Sequence, residues 1–371
     1  MLVNIFPPEK ELTIAGMMSG TSFDGIDVAI VRVKGVFTSL KYRVLELCFH
    51  PYPDSVKLKI EEFLKEQDIE LLSELDVDIA LEHVKALKRC RHLPEVDLIS
   101  MHGQTLWHSP RKKSVQIGNA DIVTIQIGKI VISDFRSKDI AVGGEGAPIT
   151  PYIDYCVFSK SKTTALNNIG GISNLTIVGK SPEDVLAFDT GPGNALIDIV
   201  AREKFGIDYD KDGKIALSGK VHEDIAQKVL ESDEYIWRKP PKSTGKEYYN
   251  SDFLKRFGID DPNDLIATVT YYTALTMRKS YEMYVLSKFS AERVYLSGGG
   301  ARNSTLLKFI EKELSEIGIR TFVFSKKFSD FKEAIWFALL GNEFAKGHFS
   351  NLPSVTGAKK RVSLGKISVP W

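Results

Sequence analysis

Cysteine is scarce in this sequence: its 371 residues include three, Cys48, Cys90 and Cys156. An odd and scattered set argues against a disulfide framework and indicates a reducing compartment, so we expect a cytoplasmic protein. Neither sign of charge is in excess, because 49 Lys and Arg stand against 48 Asp and Glu, and this balance predicts neither nucleic-acid nor membrane binding. No apolar run approaches the ~18 residues of a membrane span, and Pro7-Pro8-Glu9-Lys10 is unlike a signal peptide.

Several catalytic signatures are also missing. There is no Walker loop (GxxxxGK[ST]) and no Rossmann fingerprint (GxGxxG), and the GxSxG elbow of a serine hydrolase is absent. Cys90-Arg91-His92 and the pair His102 and His108 lack a matching partner set, which excludes a zinc site of ordinary spacing. Apolar residues at 43% and charged residues at 26% are typical of a globular protein, and the length is sufficient for two domains.

A small-residue turn is the most informative feature that is present. The phrase GMMSGTSFDGID, residues 16–27, follows the apolar segment Leu12–Ala15 and leads into a second strand, Ile26–Val33. Small residues let backbone N–H groups approach an anion, and Ser and Thr hydroxyls add donors. An ordinary Gly-rich hairpin is the alternative. We predict a phosphate-binding turn in which Asp24 holds a divalent cation through water. Its binding residues are Ser19, Gly20, Thr21, Ser22, Asp24 and Gly25.

The predicted elements repeat in the two halves of the chain. In the first half, three strands, two helices and a strand are predicted at Leu12–Ala15, Ile26–Val33, Tyr42–Phe49, Ser55–Glu66, Ile69–Arg91 and Val96–Met101. The second half has the same order at Thr164–Ile169, Leu175–Val178, Val185–Phe188, Ala195–Phe205, Asp264–Lys288 and Arg293–Leu296. This repeat predicts two equivalent α/β domains with a cleft between them, although alternation alone is common to all α/β proteins.

The domain boundary is predicted near residues 135–160, where Gly143–Pro148 and Pro151 interrupt the periodicity. We assign residues 1–135 to the first domain and 136–349 to the second. Residues 350–371 are expected to pack back on the first domain.

A candidate general base lies in the second half. The phrase FDTGPGN places Asp189 at a strand end, followed by a helix N-terminus with Asn194 as its N-cap. Such a carboxylate can act as a general base beside an anion held by helix N–H groups. An Asp that only opens a β–α turn is the alternative.

Two glycine turns accompany this base. Gly298, Gly299 and Gly300 precede Asn303 and expose backbone to a flat ligand such as adenine, unless they form only a flexible connection. Asn168, Gly170 and Gly171 form the second-half counterpart of the phosphate turn. We expect them to meet the phosphate groups from the opposite wall.

Two further phrases, HGQT and DFRSKD, offer donors for a sugar or a carboxylate. The first is predicted as a turn, His102–Thr105, after the strand Val96–Met101. In the second, Arg136 can bind a carboxylate bidentately. A structural histidine and a loop salt bridge are the respective alternatives.

Together these phrases resemble the anhydro-N-acetylmuramic acid kinases of bacterial cell-wall recycling. The shared phrases are GMMSGTSFDGID, HGQTLWH, DFRSKDIAVGGEGAP, NNIGGISN, FDTGPGN, PKSTGKEYYN and LSGGGARN, and the match extends to Leu352–Ala358. Each phrase is weak alone, whereas the ordered set is specific. The resemblance implies an α/β protein of two duplicated ribonuclease-H-like domains, of the actin and hexokinase type, with a central cleft. It also implies a homodimer.

The resemblance further implies a reaction that uses ATP and Mg²⁺. Water attacks C1 of 1,6-anhydro-N-acetylmuramic acid, the bridge to O6 opens, and O6 takes the γ-phosphoryl group to give N-acetylmuramic acid 6-phosphate and ADP. Asp189 matches the catalytic base of the family. Gly298, Gly299 and Asn303 match its nucleotide site. The residues expected to contact the sugar are His102, Gln104, Arg136, Asp139, Gly191, Asn194 and Glu333; for Glu333, a solvated first-turn helix residue is the alternative.

Two residues depart from the family phrases. Glu145 stands where Gln is expected, and Tyr249 stands where Phe is common before Asn250. We expect Glu145 to point to solvent. Two other functions remain open from the sequence: a kinase of another sugar or sugar acid on the same fold, and a non-enzymatic actin-like ATP-binding scaffold.

Overall fold

The computed structural model describes residues 5–20, 22–159 and 163–371 and divides into two compact units. Unit 1 comprises the chain up to Val157 together with Asp330–Trp371, and unit 2 comprises Phe158–Ser329. The division differs from the predicted one, because residues 136–157 and 330–349 belong to unit 1 rather than to the second domain.

Asp154 supplies a physical reason for this difference. Its side chain is buried, and its Oδ1 accepts a hydrogen bond of 2.7 Å from Trp336 Nε1. The same oxygen lies 3.1 Å from Lys332 Nζ. These contacts join the segment around residue 154 to the one around residue 336, so both pack in unit 1.

The described chain contains the following strands: β1 Leu12–Ser19, β2 Gly25–Lys34, β3 Lys41–Pro51, β4 Leu98–Ser109, β5 Lys113–Ile117, β6 Ile130–Ser133, β7 Thr164–Ile169, β8 Ile172–Val178, β9 Leu186–Pro192, β10 Arg293–Ser297, β11 Arg320–Val323 and β12 Lys366–Ser368. The helices are α1 Asp54–Glu66, α2 Ile69–Lys88, α3 Ala120–Ile127, α4 Ser137–Ala141, α5 Pro151–Phe158, α6 Ala195–Phe205, α7 Lys214–Ser218, α8 Glu223–Ser232, α9 Glu234–Trp237, α10 Ser251–Leu254, α11 Pro262–Ser280, α12 Ser304–Ser315, α13 Lys326–Ala345 and α14 Pro353–Thr356. Among the described residues, no helix has the length and apolar character that crossing a membrane requires.

The sheet of unit 1 is organised around β1. Strands β2 and β3 follow it as an antiparallel meander. On the other side of β1, strand β4 runs parallel to β1 and β6 runs parallel to β4. The resulting order is β3-β2-β1-β4-β6, with β12 and β5 added antiparallel to β6 and β4.

The sheet of unit 2 repeats this arrangement. Its order is β9-β8-β7-β10-β11, in which β7, β8 and β9 are antiparallel and β10 is parallel to both β7 and β11. An antiparallel three-strand meander beside parallel strands is the ribonuclease-H-like topology. Its presence in both units confirms the predicted duplicated α/β fold.

Two strands extend further than their sequence patterns predict. His102–Thr105 is not a turn, because β4 continues through it to Ser109 and pairs with β5. Asp189 is not at a strand end but lies inside β9, opposite Asn174 of β8. The apolar pattern stops at both places, yet the backbone stays paired because the neighbouring strand is present.

Close packing explains the first glycine of the phosphate phrase. A Cβ atom on Gly16 would lie 2.0 Å from the carbonyl oxygen of Ala334 and 2.5 Å from the backbone nitrogen of Ala338. Both neighbours belong to α13, which the sequence analysis did not predict. Gly16 therefore lets β1 approach this helix, and it has no need to contact a ligand.

Asp233 is a buried carboxylate that organises part of unit 2. Its Oδ1 accepts hydrogen bonds from Tyr248 Oη at 2.9 Å and from the backbone N–H of Tyr235 at 3.1 Å. Its Oδ2 accepts from Tyr249 Oη at 2.9 Å and Tyr272 Oη at 2.8 Å. Tyr249, which departs from the family phrase, thus uses its additional hydroxyl to stabilise this buried charge.

We expect Asp233→Asn to lower the stability of the protein by ~3 kcal/mol or more, since an amide nitrogen would face hydroxyl donors and leave buried groups unpaired. The midpoint of thermal unfolding measures this loss. Asp252→Asn, which changes an exposed carboxylate of the same unit, serves as the control and should melt as the wild type does. Equal melting of the Asp233 variant and the wild type would contradict the assignment.

Candidate active site

The glycines of the phosphate turn have different surroundings. A Cβ atom on Gly20 would have Ser22 Oγ, 3.6 Å away, as its nearest neighbour, so the backbone of Gly20 borders open space. A Cβ atom on Gly25 would lie 2.3 Å from the carbonyl oxygen of His50. Gly20 can therefore receive an anion, whereas Gly25 is required by strand packing. Thr21 lies outside the described residues.

Three carboxylates accompany this turn in unit 1. Asp24 is exposed and accepts a 2.7 Å hydrogen bond from Ser22 Oγ. Asp27, two residues into β2, is half-buried; burial and the negative charges of Asp24 and Glu333 raise its pKa to about 7. Glu333 itself lies on α13 and is exposed. Mutual repulsion of this kind is relieved by a bound cation.

A buried polar network lies beneath the turn. Ser19 is 1% exposed, and its Oγ lies 3.4 Å from Nε2 of His83. Nδ1 of His83 is 2.7 Å from the carbonyl oxygen of Ile79, so the hydrogen bonds assign the proton to Nδ1 and leave Nε2 as an acceptor. Burial lowers the pKa of His83 to about 4, which keeps the ring neutral. The Ser19 hydroxyl is therefore directed into the protein instead of towards a phosphate group.

Gln104 belongs to the same network. It is fully buried, its Nε2 donates to the carbonyl oxygen of Gly20 at 3.0 Å, and its Oε1 accepts from Tyr52 Oη at 3.3 Å. Both ends of the amide are thus used within the protein. The arrangement positions the Gly20 backbone from below.

His102 and Arg136 form a pair in unit 1. His102 Nδ1 is 2.9 Å from the carbonyl oxygen of Gly103, so Nε2 is free to accept the Arg136 Nη2 donor at 2.9 Å. Burial and the Arg136 cation hold the pKa of His102 well below its ordinary value. Arg136 Nη1 donates to the carbonyl oxygen of Gly146 at 3.0 Å. Arg136 Nε also donates to His102 Nε2, at 3.3 Å. Within the described ranges no carboxylate forms an ion pair with Arg136, and two of its five N–H groups remain for a ligand.

Asp139 does not fit the expected contact with the sugar. It is fully buried; its Oδ1 accepts from Asn351 Nδ2 and Thr356 Oγ1, each at 2.9 Å, and its Oδ2 accepts from the backbone N–H of Gly146 at 2.9 Å. Asp139 therefore fixes the loop around Gly146.

Glu145 in this loop is half-buried and lies 3.4 Å from Arg111 Nη2. Its negative charge has a counter-ion within unit 1. The expectation that this side chain simply points to solvent is therefore incomplete.

In unit 2, Asp189 has the environment of a general base. Its Oδ2 accepts a hydrogen bond of 2.9 Å from the backbone N–H of Thr244, while no described residue donates a hydrogen bond to its Oδ1. Burial raises the pKa of Asp189 to about 6, against the lowering effects of the Thr244 N–H and the Lys242 charge. The carboxylate is largely ionised at neutral pH and can take up a proton.

The turn after β7 packs against the start of α6. The carbonyl oxygen of Gly170 accepts from the backbone N–H of Asn194 at 2.8 Å, and that of Gly171 accepts from Gly193 at 2.9 Å and from Ala195 at 3.0 Å. These three N–H groups are therefore used within the protein, and the expectation of an anion at the first turn of α6 stays a prediction.

Asn194 and Gly191 contribute to this packing. Asn194 occupies the N-cap position of α6, but its side chain makes no capping hydrogen bond and donates instead to Ile169 O at 3.5 Å. Gly191 has φ +135°, and a Cβ atom there would lie 2.8 Å from Thr276 Oγ1. Both residues shape the backbone beside Asp189.

The glycine turn after β10 leaves one position open. A Cβ atom on Gly298 would lie 2.6 Å from the carbonyl oxygen of Ile169, and one on Gly300 would lie 2.3 Å from Ile169 Cγ2. Gly299 is exposed, and its nearest neighbour would be Asn194 Nδ2 at 3.6 Å. Gly299 is thus the residue whose backbone a planar ligand can approach.

Two polar residues hold this glycine turn in place. Asn303 caps α12 by accepting from the backbone N–H of Leu306 at 2.9 Å. Asn168 Oδ1 accepts from Ser297 Oγ at 3.3 Å. The amide oxygen of each side chain thus accepts a hydrogen bond from the protein itself.

Sequence reasoning assigned no role to several residues that the structure places in these sites. Thr244 and Lys242 lie in the phrase PKSTGKEYYN, which carried the family resemblance but received no function. Asp27 ends the phosphate phrase, and His83 lies in α2. The hydrogen bonds of Thr244 and His83 join residues 55 and 64 positions apart, which no local spacing reveals.

Comparison with known sequences identifies the family. A sequence model described as anhydro-N-acetylmuramic acid kinase matches residues 12–370. A kinase of that name from Caldanaerobacter subterraneus subsp. tengcongensis is 39% identical and covers 99% of both chains. One from Francisella tularensis subsp. novicida is 38% identical over 95% of this chain and 97% of its own.

A solved structure with a similar fold shares less sequence with this chain. An activator of 2-hydroxyisocaproyl-CoA dehydratase from Clostridium difficile, with bound ADPNP, is 12% identical with a TM-score of 0.44, over 90% of this chain and 96% of its own. That similarity is too low to support an assignment, whereas the sequence match extends over nearly the whole length. The chain belongs to the anhydro-N-acetylmuramic acid kinase family.

Proposed function

We propose that this protein uses ATP to open 1,6-anhydro-N-acetylmuramic acid hydrolytically and to phosphorylate O6, in the recycling of cell-wall peptidoglycan. The products are N-acetylmuramic acid 6-phosphate and ADP. The observation that carries the proposal is the carboxylate of Asp189, whose Oδ2 accepts a hydrogen bond from the Thr244 N–H at 2.9 Å while Oδ1 accepts none from the described residues. Family membership supplies the substrate.

Asp189 acts as the general base in this proposal. Its free Oδ1 takes a proton from water as the water oxygen bonds to C1 of the sugar. The C1–O6 bond breaks, and O6 attacks the γ-phosphorus of ATP as ADP leaves. The proton passes from Asp189 to solvent afterwards. A pKa of about 6 is close enough to neutral pH for the carboxylate to accept and release that proton.

The second requirement is that the protein binds the phosphate groups of ATP and offsets their negative charge. In unit 1 we assign phosphate binding to the open Gly20 backbone and to Ser22, and the sequence prediction for Thr21 stands as a proposal. In unit 2 we assign the adenosine side to the turn at Gly299, supported by Gly298, Gly300, Asn168 and Asn303. Gly170 and Gly171 form the backbone support beside that turn.

The acidic residues of unit 1 fit a bound Mg²⁺. Asp24 is exposed, and the pKa of Asp27 is raised by the charges of Asp24 and Glu333, which a divalent cation would offset. Because no cluster of three direct His, Cys, Asp or Glu ligands exists among the residues described, Asp24 would hold the ion through water. Such an ion neutralises charge on the transferred phosphoryl group.

Sugar recognition is assigned to unit 1 residues with free polar groups. Arg136 keeps N–H donors for a carboxylate such as the lactyl group of the substrate, and His102 orients it through Nε2 at 2.9 Å. Glu333 is exposed and can accept hydrogen bonds from sugar hydroxyls. Gln104 and Asp139 act indirectly, through the backbone that they hold.

One prediction concerns the base itself. Asp189→Asn should reduce sugar-dependent ADP release by about 10³-fold or more, because a required proton acceptor is lost, while ATP affinity is retained. Asp198→Asn is the matched control, since burial also raises the pKa of Asp198 to about 6, and its activity should stay close to that of the wild type. Full activity in the Asp189 variant would remove this residue from the mechanism.

The oxygen from water should appear at C1 of the product. Turnover in ¹⁸O-labelled water is expected to place one label there, as detected by mass spectrometry. Phosphorylation without the label would indicate a kinase of an ordinary sugar, and ADP release indifferent to the sugar would indicate a nucleotide-binding scaffold.

The second prediction concerns pH. Because the base must be ionised and the pKa of Asp189 in the free protein is raised to about 6, log kcat/KM should fall as pH decreases through about 6, with a slope near one decade per pH unit. In Asp198→Asn this acid limb should remain in place. If the acid limb moves in the Asp198 variant, the group that titrates is Asp198 and not Asp189, which would contradict the prediction.

The third prediction concerns the phosphate turn. Gln104→Leu removes the donor to the Gly20 carbonyl and should raise the KM for ATP about tenfold, the effect of ~1–3 kcal/mol for a buried group left unpaired. Gln126→Leu, an exposed change in the same unit, is the control. A KM for ATP within twofold of the wild type in the Gln104 variant would contradict this role.

A further inference from the structure

One short segment of unit 2 holds Asp189 at three points. The backbone N–H of Asp189 donates to the carbonyl oxygen of Lys242 at 3.3 Å. Two residues later, the Thr244 N–H donates to Asp189 Oδ2 at 2.9 Å, and the hydroxyl of Tyr235 donates to the Asp189 carbonyl oxygen at 2.9 Å. The position of the base therefore depends on residues 235–244.

The ammonium group of Lys242 ties this segment together. Its Nζ donates to the carbonyl oxygens of Ile236 at 2.8 Å and Tyr235 at 3.3 Å, at the end of α9. The same Nζ lies 4.7 Å from the ring centre of Tyr235, 4.9 Å from that of Tyr284 and 5.6 Å from that of Phe188. Carbonyl oxygens and ring faces are both favourable partners for a cation.

A lysine in this place is not explained by packing alone. Lys242 is half-buried, and no carboxylate within the described ranges forms an ion pair with it. Removing an ammonium group from water costs free energy, and an apolar side chain would fill an aromatic pocket without that cost. The charge therefore needs another reason.

The charged groups around Lys242 point to the reason. The carboxylates of Asp233 and Asp189 favour its protonated form, while Arg238 and burial disfavour it and lower its pKa to about 8. Asp233 is already saturated by four donors, three tyrosine hydroxyls and one backbone N–H. Asp189 is the other carboxylate whose charge favours the protonated lysine, and its Oδ1 accepts no hydrogen bond from the described residues.

We infer that Lys242 is a positioning residue for Asp189: its ammonium group fixes the segment that places the Thr244 N–H on Oδ2, and its charge favours the ionised base. This inference rests on the proposed function of Asp189. It explains why the phrase PKSTGKEYYN has a lysine at position 242, where no carboxylate within the described ranges forms an ion pair with it. The charge of Lys242 also opposes the effect of burial on the pKa of Asp189.

The test compares two neutral substitutions with a charged one. Lys242→Gln and Lys242→Met are each expected to reduce kcat by at least about tenfold, the scale of a small misplacement of a catalytic group, with the KM for ATP within twofold. In both, the acid limb of the pH profile should move upward by about 0.5–1 pH unit, because an opposite charge near the base is lost. Lys242→Arg keeps the charge and should leave the acid limb in place.

Lys312→Met is the matched control. Lys312 Nζ also lies over an aromatic ring in unit 2, 5.8 Å from the centre of Tyr271, and its hydrogen bond within the described chain goes to Glu223, outside residues 235–244. Its kcat and acid limb should equal those of the wild type. A kcat within twofold and an unmoved acid limb in either neutral Lys242 variant that melts as the wild type does would overturn the inference.

A further measurement covers the case in which both neutral variants fail to fold. In the wild type, kcat/KM should decline above pH about 8 as Lys242 loses its proton, and in Lys242→Arg this decline should disappear. A decline that persists in the Arg variant would overturn the inference. Hydrogen exchange of the Thr244 backbone N–H tests the positioning role of Lys242 separately from the proposed function. Faster exchange in a folded neutral variant supports the positioning role even if the wild type does not act on the anhydro sugar.

Discussion

The part of unit 2 around Asp189 depends on one set of hydrogen bonds, those that the buried carboxylate of Asp233 accepts. It cannot lie in the interior as an ion unless its oxygens are bonded, and the donors come from residues 235, 248, 249 and 272. Satisfying one charge thus brings α9, the segment before α10 and the long helix α11 to one point. The segment that holds Asp189 lies between two of these anchors, so its shape is set by the need to solvate Asp233.

Glycine in the shared phrases serves two different purposes. Gly16, Gly25, Gly298 and Gly300 leave no room for a side chain, because helices or strands of the same unit pack against them. Gly20 and Gly299 border open space. A phrase such as GMMSGTS therefore describes a packed structure as much as a binding site, and only part of it is available to a ligand.

The sequence located the sites better than it assigned the residues within them. The order of the elements along the chain and their repeat could be predicted because they depend on local apolar patterns. Asp139 and Ser19 were assigned to ligands because their partners, 212 and 64 residues away, cannot be inferred from spacing. Asp189 was proposed as the base through its phrase and the family resemblance, whereas Lys242 had no signal beyond its place in a shared phrase.

The two copies of the fold differ in the length of their first hairpin. Five residues separate β1 from β2, whereas two glycines separate β7 from β8. A two-glycine connection has no side chain, while the longer one carries two hydroxyl groups and a carboxylate. The equivalent turns of the two copies therefore differ in chemistry: the first can offer side-chain oxygens and a negative charge, whereas the second can offer only backbone groups.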